Sequence, residues 1–244
     1  MTRDRFRDVS RGTLRSGNQR SAYAPFSRSQ LEKLREIAGA TGAAVPPGFL
    51  PACESFLAEL AKWNRRMNLI SRKDAERVVE RHILDSLCLL AYSPHLSGKR
   101  ILDVGSGAGF PGIVLGMWES EASITLIESR SKPVAFLRSV KRCVGLENVQ
   151  VVHARIESAA NPQHLPLSDI VTSRAVGGTL GLAERVAAVL KPGGAIVVYA
   201  ARCGRGGLFT AADSRALERL GYDRELITPT WQSLTTLLIL RKLS

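Results

Sequence analysis

Apolar and polar positions keep one rhythm up to about residue 97 and another after it. In the first stretch apolar side chains recur at helical spacing. Phe26 to Ala38 carries one run, closed near Gly39 and Gly42. Beyond the Pro46-Pro47 break, Phe56, Leu60, Trp63 and Met67 fall along one face of a second helix. That stripe suits core packing or, alternatively, stacking against nucleobases. A third helix is predicted from about Asp74 to Ala91. Val78, His82 and Asp85 share one of its faces, so a polar pair interrupts a side otherwise suited to packing, with Arg81 beside it.

From Gly98 onward strand and helix alternate. Strands are predicted at 100–104, 123–128, 149–153, 169–173 and 194–200, and helices at 111–118, 132–143, 177–190 and 212–220. Such alternation makes the crossovers of a parallel α/β sheet. Between Tyr222–Trp231 and Ser233–Arg241 there is no room for a helix, which predicts an antiparallel terminal hairpin within 222–241. The chain therefore divides into a basic arm at 1–25, a small helical region at 26–97 and an α/β domain at 98–244. The arm holds Arg3, Arg5, Arg7, Arg11, Arg15 and Arg20 without apolar periodicity and is expected to be disordered. It is read either as an RNA contact or as a solvated tail.

Charge narrows the partners. Of 244 residues, 45% are hydrophobic, an ordinary share, but the formal net charge of +12 favours a polyanionic partner. No run of 18 apolar residues and no signal-peptide core follows Met1, so a cytoplasmic protein without membrane contact is expected. A monomer is expected as well. Cys53, Cys88, Cys143 and Cys203 form no CxxC pair, which suggests neither a disulfide framework nor a metal site.

The chemistry concentrates where the predicted strands end. Ile101, Leu102 and Val104 run into glycines at 105, 107 and 109, then Phe110-Pro111-Gly112 opens a helix. Glycines at such a junction allow a tight turn and close backbone approach to a ligand. Asp103 intrudes as a polar residue into the apolar strand end. Glu128, 23 positions beyond Gly105, ends the second strand and is read as an acceptor for two ribose hydroxyls, or as a helix N-cap neighbour of Ser131. Ile156 and Glu157 follow the third strand, as an adenine wall or, for Glu157, as a solvated acid. Ser173, Arg174 and Ala175 end the fourth, where Arg174 is placed to pair with a carboxylate or hold a phosphate. No Asn-Pro-Pro-Tyr motif and no Pro-Cys pair follows that strand, so it carries neither an acidic-aromatic motif for an exocyclic amine nor a cysteine placed for covalent attack on a pyrimidine.

These residues resemble a known family. The loop Asp103-Val104-Gly105-Ser106-Gly107-Ala108-Gly109-Phe110-Pro111-Gly112 is similar to the first motif of class I S-adenosylmethionine-dependent methyltransferases. With Trp63-Asn64, Met67-Asn68-Leu69-Ile70, Arg81-His82-Ile83-Leu84-Asp85-Ser86-Leu87 and Ser173-Arg174-Ala175, the chain resembles the ribosomal small-subunit methyltransferase G family, also called glucose-inhibited division protein B. The resemblance implies a Rossmann-like, mostly parallel seven-stranded sheet with an antiparallel terminal hairpin. It implies methylation of N7 of one guanosine, position 527 in the 530 loop of bacterial 16S rRNA, with 16S rRNA or the 30S subunit as partner. S-adenosyl-L-methionine is the implied cofactor, and the resemblance has Gly105, Phe110, Ile156, Glu157 and Arg174 line its site; the reading of the strand ends adds Asp103, Gly107, Gly109 and Glu128 as cofactor-binding residues. His82 and Arg174 are candidates for substrate positioning, and no general base is assigned. His82 with Asp85 is expected to tie the N-terminal helices to the cofactor loop. The family's Lys-Gly pair after the fifth strand is missing from Tyr199-Ala200-Ala201-Arg202-Cys203-Gly204, where Arg202 is the candidate replacement.

Overall fold

The computed structural model describes residues 26–42, 44–161, 165–174, 178–201, 211–231 and 235–243. The expected arm at 1–25, together with Ala175, Arg202 and Cys203, lies outside them.

Seven strands form one sheet in the order β3-β2-β1-β4-β5-β7-β6. They are β1 (Arg100–Val104), β2 (Ser123–Glu128), β3 (Val149–His153), β4 (Ser168–Ser173), β5 (Leu190–Ala201), β6 (Tyr222–Ile227) and β7 (Thr235–Lys242). The first five run parallel, and β7 pairs antiparallel with both β5 and β6, which is the expected terminal hairpin. Strand β1 is buried at four successive positions, because helices cover both faces of a parallel sheet.

The helices separate by face. Helices α1 (Arg28–Ala40), α2 (Phe49–Met67), α4 (Gly112–Trp118) and α5 (Ser131–Val144) bury Ile37, Phe56, Leu60, Ile113 and Phe136 in one cluster with Ile101 and Ile124 of the sheet. The Phe56 to Met67 stripe is thus a packing face, and Trp63 sets its ring edge against Phe136, centroids 6.0 Å apart. Helices α6 (Ile156–Ala159), α7 (Thr179–Val186) and α8 (Ala211–Arg219) lie on the other side, over Leu102, Val104 and Ile196. Ser27 starts α1 with a reciprocal cap to Gln30. Asn68, in the left-handed region at φ 48°, ends α2.

Two elements depart from the pattern-based boundaries. The single helix expected from Asp74 to Ala91 is instead a short α3 (Arg72–Ala75), a π-helical turn at Val79–Leu84 and a 3₁₀ turn at Leu87–Ala91. Arg174, immediately after β4, donates to the carbonyls of Arg81 and His82, and Ser86 Oγ donates to the His82 carbonyl as well. Side chains inserted into the carbonyl ladder draw a helix out of α geometry. The helix expected over 177–190 ends at Val186, and β5 starts at Leu190 rather than 194. Ser168 pairs with Leu190 and Ile170 with Ala195, so Lys191–Gly194 form an irregularity inside the strand pairing. Gly193 takes φ +70° there, a conformation glycine alone adopts freely.

Candidate cofactor and acceptor site

The C-terminal ends of β1, β2 and β4 meet where the strand order reverses, the position at which α/β sheets bind ligands. The loop after β1 is pinned before it turns. Gly105 and Ser106 donate their N–H groups to Ile127 O at 2.9 and 3.2 Å, and Ser106 Oγ donates to Asp103 O. Gly105, Gly107 and Gly109 all have positive φ. A Cβ on Gly109 would lie 2.7 Å from Ile113 Cγ1, and one on Gly112 would press on Leu126 and Asp103. The glycines are required by geometry at both places.

Asp103 holds this loop from below. Its carboxylate accepts from Thr172 Oγ1 of β4 at 2.9 Å and from Gly112 N at 3.3 Å. Burial pushes its carboxyl up to about 6, against those hydrogen bonds. Glu128 faces the loop from the end of β2. One oxygen accepts from Gly107 N at 3.0 Å; the other accepts from Arg130 N at 2.9 Å and Arg130 Nε at 3.2 Å. Burial raises Glu128, but the Arg130 and Gly107 donors outweigh it and hold the carboxyl below its ordinary value. A Cβ on Gly107 would fill the gap between Gly105 O and Glu128 Oε2. The bare backbone opposite an ionised carboxylate suits a ribose diol, so these residues fit a nucleoside cofactor. Ile156 is buried at the start of α6. Glu157 is half exposed there, and its carboxylate pairs with Arg185 Nε at 3.0 Å.

The second half of the site is a polar node. Arg174, expected at the mouth of a cleft, instead turns its guanidinium inward. Nη2 pairs with Asp85 at 2.7 Å and donates to Ser86 Oγ, and Nη1 donates to His82 Nδ1 at 3.1 Å. The guanidinium also lies over the rings of Phe110 and Tyr199. His82 stacks on Phe110 with centroids 4.7 Å apart, which links the N-terminal helices directly to the glycine loop. Burial, then the Arg174 charge, pushes His82 down to about 4. Since Arg174 can only donate, His82 Nδ1 is the acceptor and Nε2 carries the proton. Thr235 Oγ1 donates to Asp85, and Tyr199 OH donates to Ser86 O at 2.8 Å. Thr172, Tyr199 and Thr235 escape sequence reasoning as members of the node, and Ser86 is given no role of its own by it. Only Ser86 carries a signal, through its place beside Asp85.

A mostly parallel sheet of this order, with a glycine loop after β1 and a carboxylate ending β2, defines a class I S-adenosylmethionine-dependent methyltransferase. A methyltransferase from Aquifex aeolicus, described as S-adenosylmethionine dependent, shares the fold with a TM-score of 0.52 at 17% identity, covering 75% of this chain and 97% of that one. Residues 50–213 match the profile of GidB, rRNA small subunit methyltransferase G, and the chain belongs to that family. Its relatives include ribosomal RNA small subunit methyltransferase G of Halorhodospira halophila, 40% identical over 61% of this chain and 68% of that protein. The protein of the same name from Coxiella burnetii is 37% identical over 67% of this chain and 77% of its own length. No described helix is long and apolar enough to cross a membrane.

Proposed function

We infer that this chain transfers the methyl group of S-adenosylmethionine to N7 of one guanosine, position 527 in the 530 loop of 16S rRNA, in the cytoplasm. The reading rests on the joining of a nucleoside-binding loop to the His82–Asp85–Arg174 node through the Phe110–His82 stack. In this reading Asp103, Gly105, Gly107, Gly109, Phe110, Glu128, Ile156 and Glu157 build the cofactor site. Arg174 and His82 act as positioning residues. The cofactor supplies an electrophilic sulfonium methyl. Guanine N7 offers a lone pair in the neutral base, so no proton has to leave before attack. The protein's task is then to align N7 with the methyl and to keep that geometry dry. A neutral His82 with Nδ1 already bonded suits alignment rather than proton removal. An exposed loop base reaches such a pocket at less cost than a base in a duplex.

Purified protein and methyl-labelled cofactor are to be incubated separately with unmodified 30S subunits, deproteinised 16S rRNA and total tRNA. Label is expected as 7-methylguanosine at a single 530-loop position. Label confined to tRNA, or on a different base, would overturn the acceptor while leaving the methyltransferase fold intact.

A further inference from the structure

A cavity of about 500 Å³ opens beside the glycine loop, lined by Asn68, Gly107, Ala108 and residues 129–133. Arg130 and Lys132 are its charged lining residues, and among the described residues no carboxylate lines it. Ser129, Ser131 and the Asn68 amide add neutral donors. Its outer wall, Met67–Leu69, is set by Asn64, whose side chain bonds both the N–H and the C=O of Ile70 at 3.0 and 3.1 Å. Arg65 and Arg66, immediately before that wall, are exposed. Lys132 is exposed and has no ion-pair partner among the described residues. A rigid, cation-lined concavity of this kind recognises an oxyanion.

Arg130 belongs to two sites at once. Its Nε reaches Glu128 at 3.2 Å, and its guanidinium lies across the gap above Gly107, where the ribose reading puts the cofactor. The side chain is 72% exposed, so solvent screens this pair and a diol can displace it readily. A ribose on Glu128 would take the acceptor that Arg130 holds and leave its guanidinium, already at the edge of the cavity, free to turn toward an anion there.

We propose that the cavity seats a phosphodiester of the acceptor RNA strand, held by Lys132 and by Arg130 once the cofactor ribose has displaced Arg130 from Glu128. Cofactor binding thus adds a cation to the RNA surface, and by linkage bound RNA strengthens cofactor binding by the same factor. The proposal rests on the ribose role of Glu128.

The test measures binding of S-adenosylhomocysteine by calorimetry and of 530-loop RNA by filter retention, with and without the homocysteine nucleoside. Wild-type RNA affinity is expected to rise several-fold when the nucleoside is present. In Arg130→Ala that rise disappears, while nucleoside affinity measured without RNA stays equal or becomes tighter. In Arg130→Ala/Lys132→Ala the RNA affinity falls about five- to tenfold, and the log–log salt slope becomes shallower by roughly 0.7, the value for one single-strand phosphate. Both residues are exposed, so the fold stands. Weaker nucleoside binding by either variant would assign the cavity to the cofactor and overturn the proposal, as would RNA binding identical to wild type. Glu128→Ala separates the underlying reading: unchanged nucleoside affinity there removes the ribose role, whereas a loss there with an unaltered Arg130→Ala removes the phosphate seat alone.

Discussion

Asp103 and His82 lie on either side of the glycine loop, and burial moves them in opposite directions. Asp103 is pushed up to about 6 and His82 down to about 4. For Asp103 the folded value exceeds the unfolded one, so its contribution to stability is complete below about pH 3.8 and fades as pH rises through about 6. For His82 the neutral form favours the fold, so its contribution is complete above about pH 6.5 and fades as pH falls through about 4. Between those limits the two cancel in part. His82→Phe keeps an aromatic ring on Phe110 and leaves Asp103 unopposed. That variant is expected to lose stability, relative to wild type, as pH rises from 4 to 6. Asp103→Asn should gain relative stability over the same range, each trend amounting to about 2–3 kcal/mol at most. Urea midpoints at stepped pH measure both, and parallel curves for the two variants would contradict the assignment.

Between elements, the ion pair of Arg174 and Asp85 is the joint. It fastens the end of β4 to the π-helical turn, with β5 and β7 contributing Tyr199 and Thr235. Asp85 is buried, so Arg174→Ala leaves a carboxylate with, among the described residues, a single hydroxyl donor and should cost about 3 kcal/mol. Removing both partners in Arg174→Ala/Asp85→Ala should cost less than the two single changes together, by about 1–3 kcal/mol. A double-mutant cycle in urea reads that coupling directly, and additive losses would mean that the pair is not a joint. The same node marks where sequence reading stops. The glycine loop is legible because its requirement is local: positive φ and no room for a Cβ. His82 and Asp85 are legible as a polar break in an apolar face. Their partners are not, since Tyr199 lies 113 positions from Ser86 and Thr235 lies 150 from Asp85, brought there by strand pairing. Periodicity likewise predicts one helix through 74–91 because it cannot register an arginine arriving from β4 to occupy the helix carbonyls. The inward turn of Arg174 has the same origin. A strand-end arginine reads as free until the helix that captures it is in place.

At the scale of the whole molecule, core and charge are distributed differently along the chain. The apolar cluster on the α5 face begins at Leu34 and joins α1 and α2 to the sheet, so the helical region at 26–97 and the sheet share one core. Among the described residues both buried clusters are built from positions beyond Phe26, and residues 1–25, which show no apolar periodicity, carry six arginines against two aspartates, a third of the net charge of +12. A chain starting at Phe26 is therefore expected to keep its urea midpoint and its affinity for S-adenosylhomocysteine. Its affinity for 16S rRNA should fall, because fewer counterions are released on binding. The log–log salt slope should become shallower by about 0.7 for each single-strand phosphate that the shortened chain no longer neutralises. A chain starting at Gly98 should fail to fold, since it exposes the sheet face that Phe56 and Leu60 cover. The slope separates direct RNA binding by the arm from a general loss of fitness. A misfolded truncation would lose nucleoside binding too, whereas removal of phosphate-binding cations changes only the salt dependence and the RNA affinity. An unchanged slope in the chain starting at Phe26 would place the RNA-binding charge wholly on the folded surface, with Arg130 and Lys132 as the cations lining the cavity beside the glycine loop.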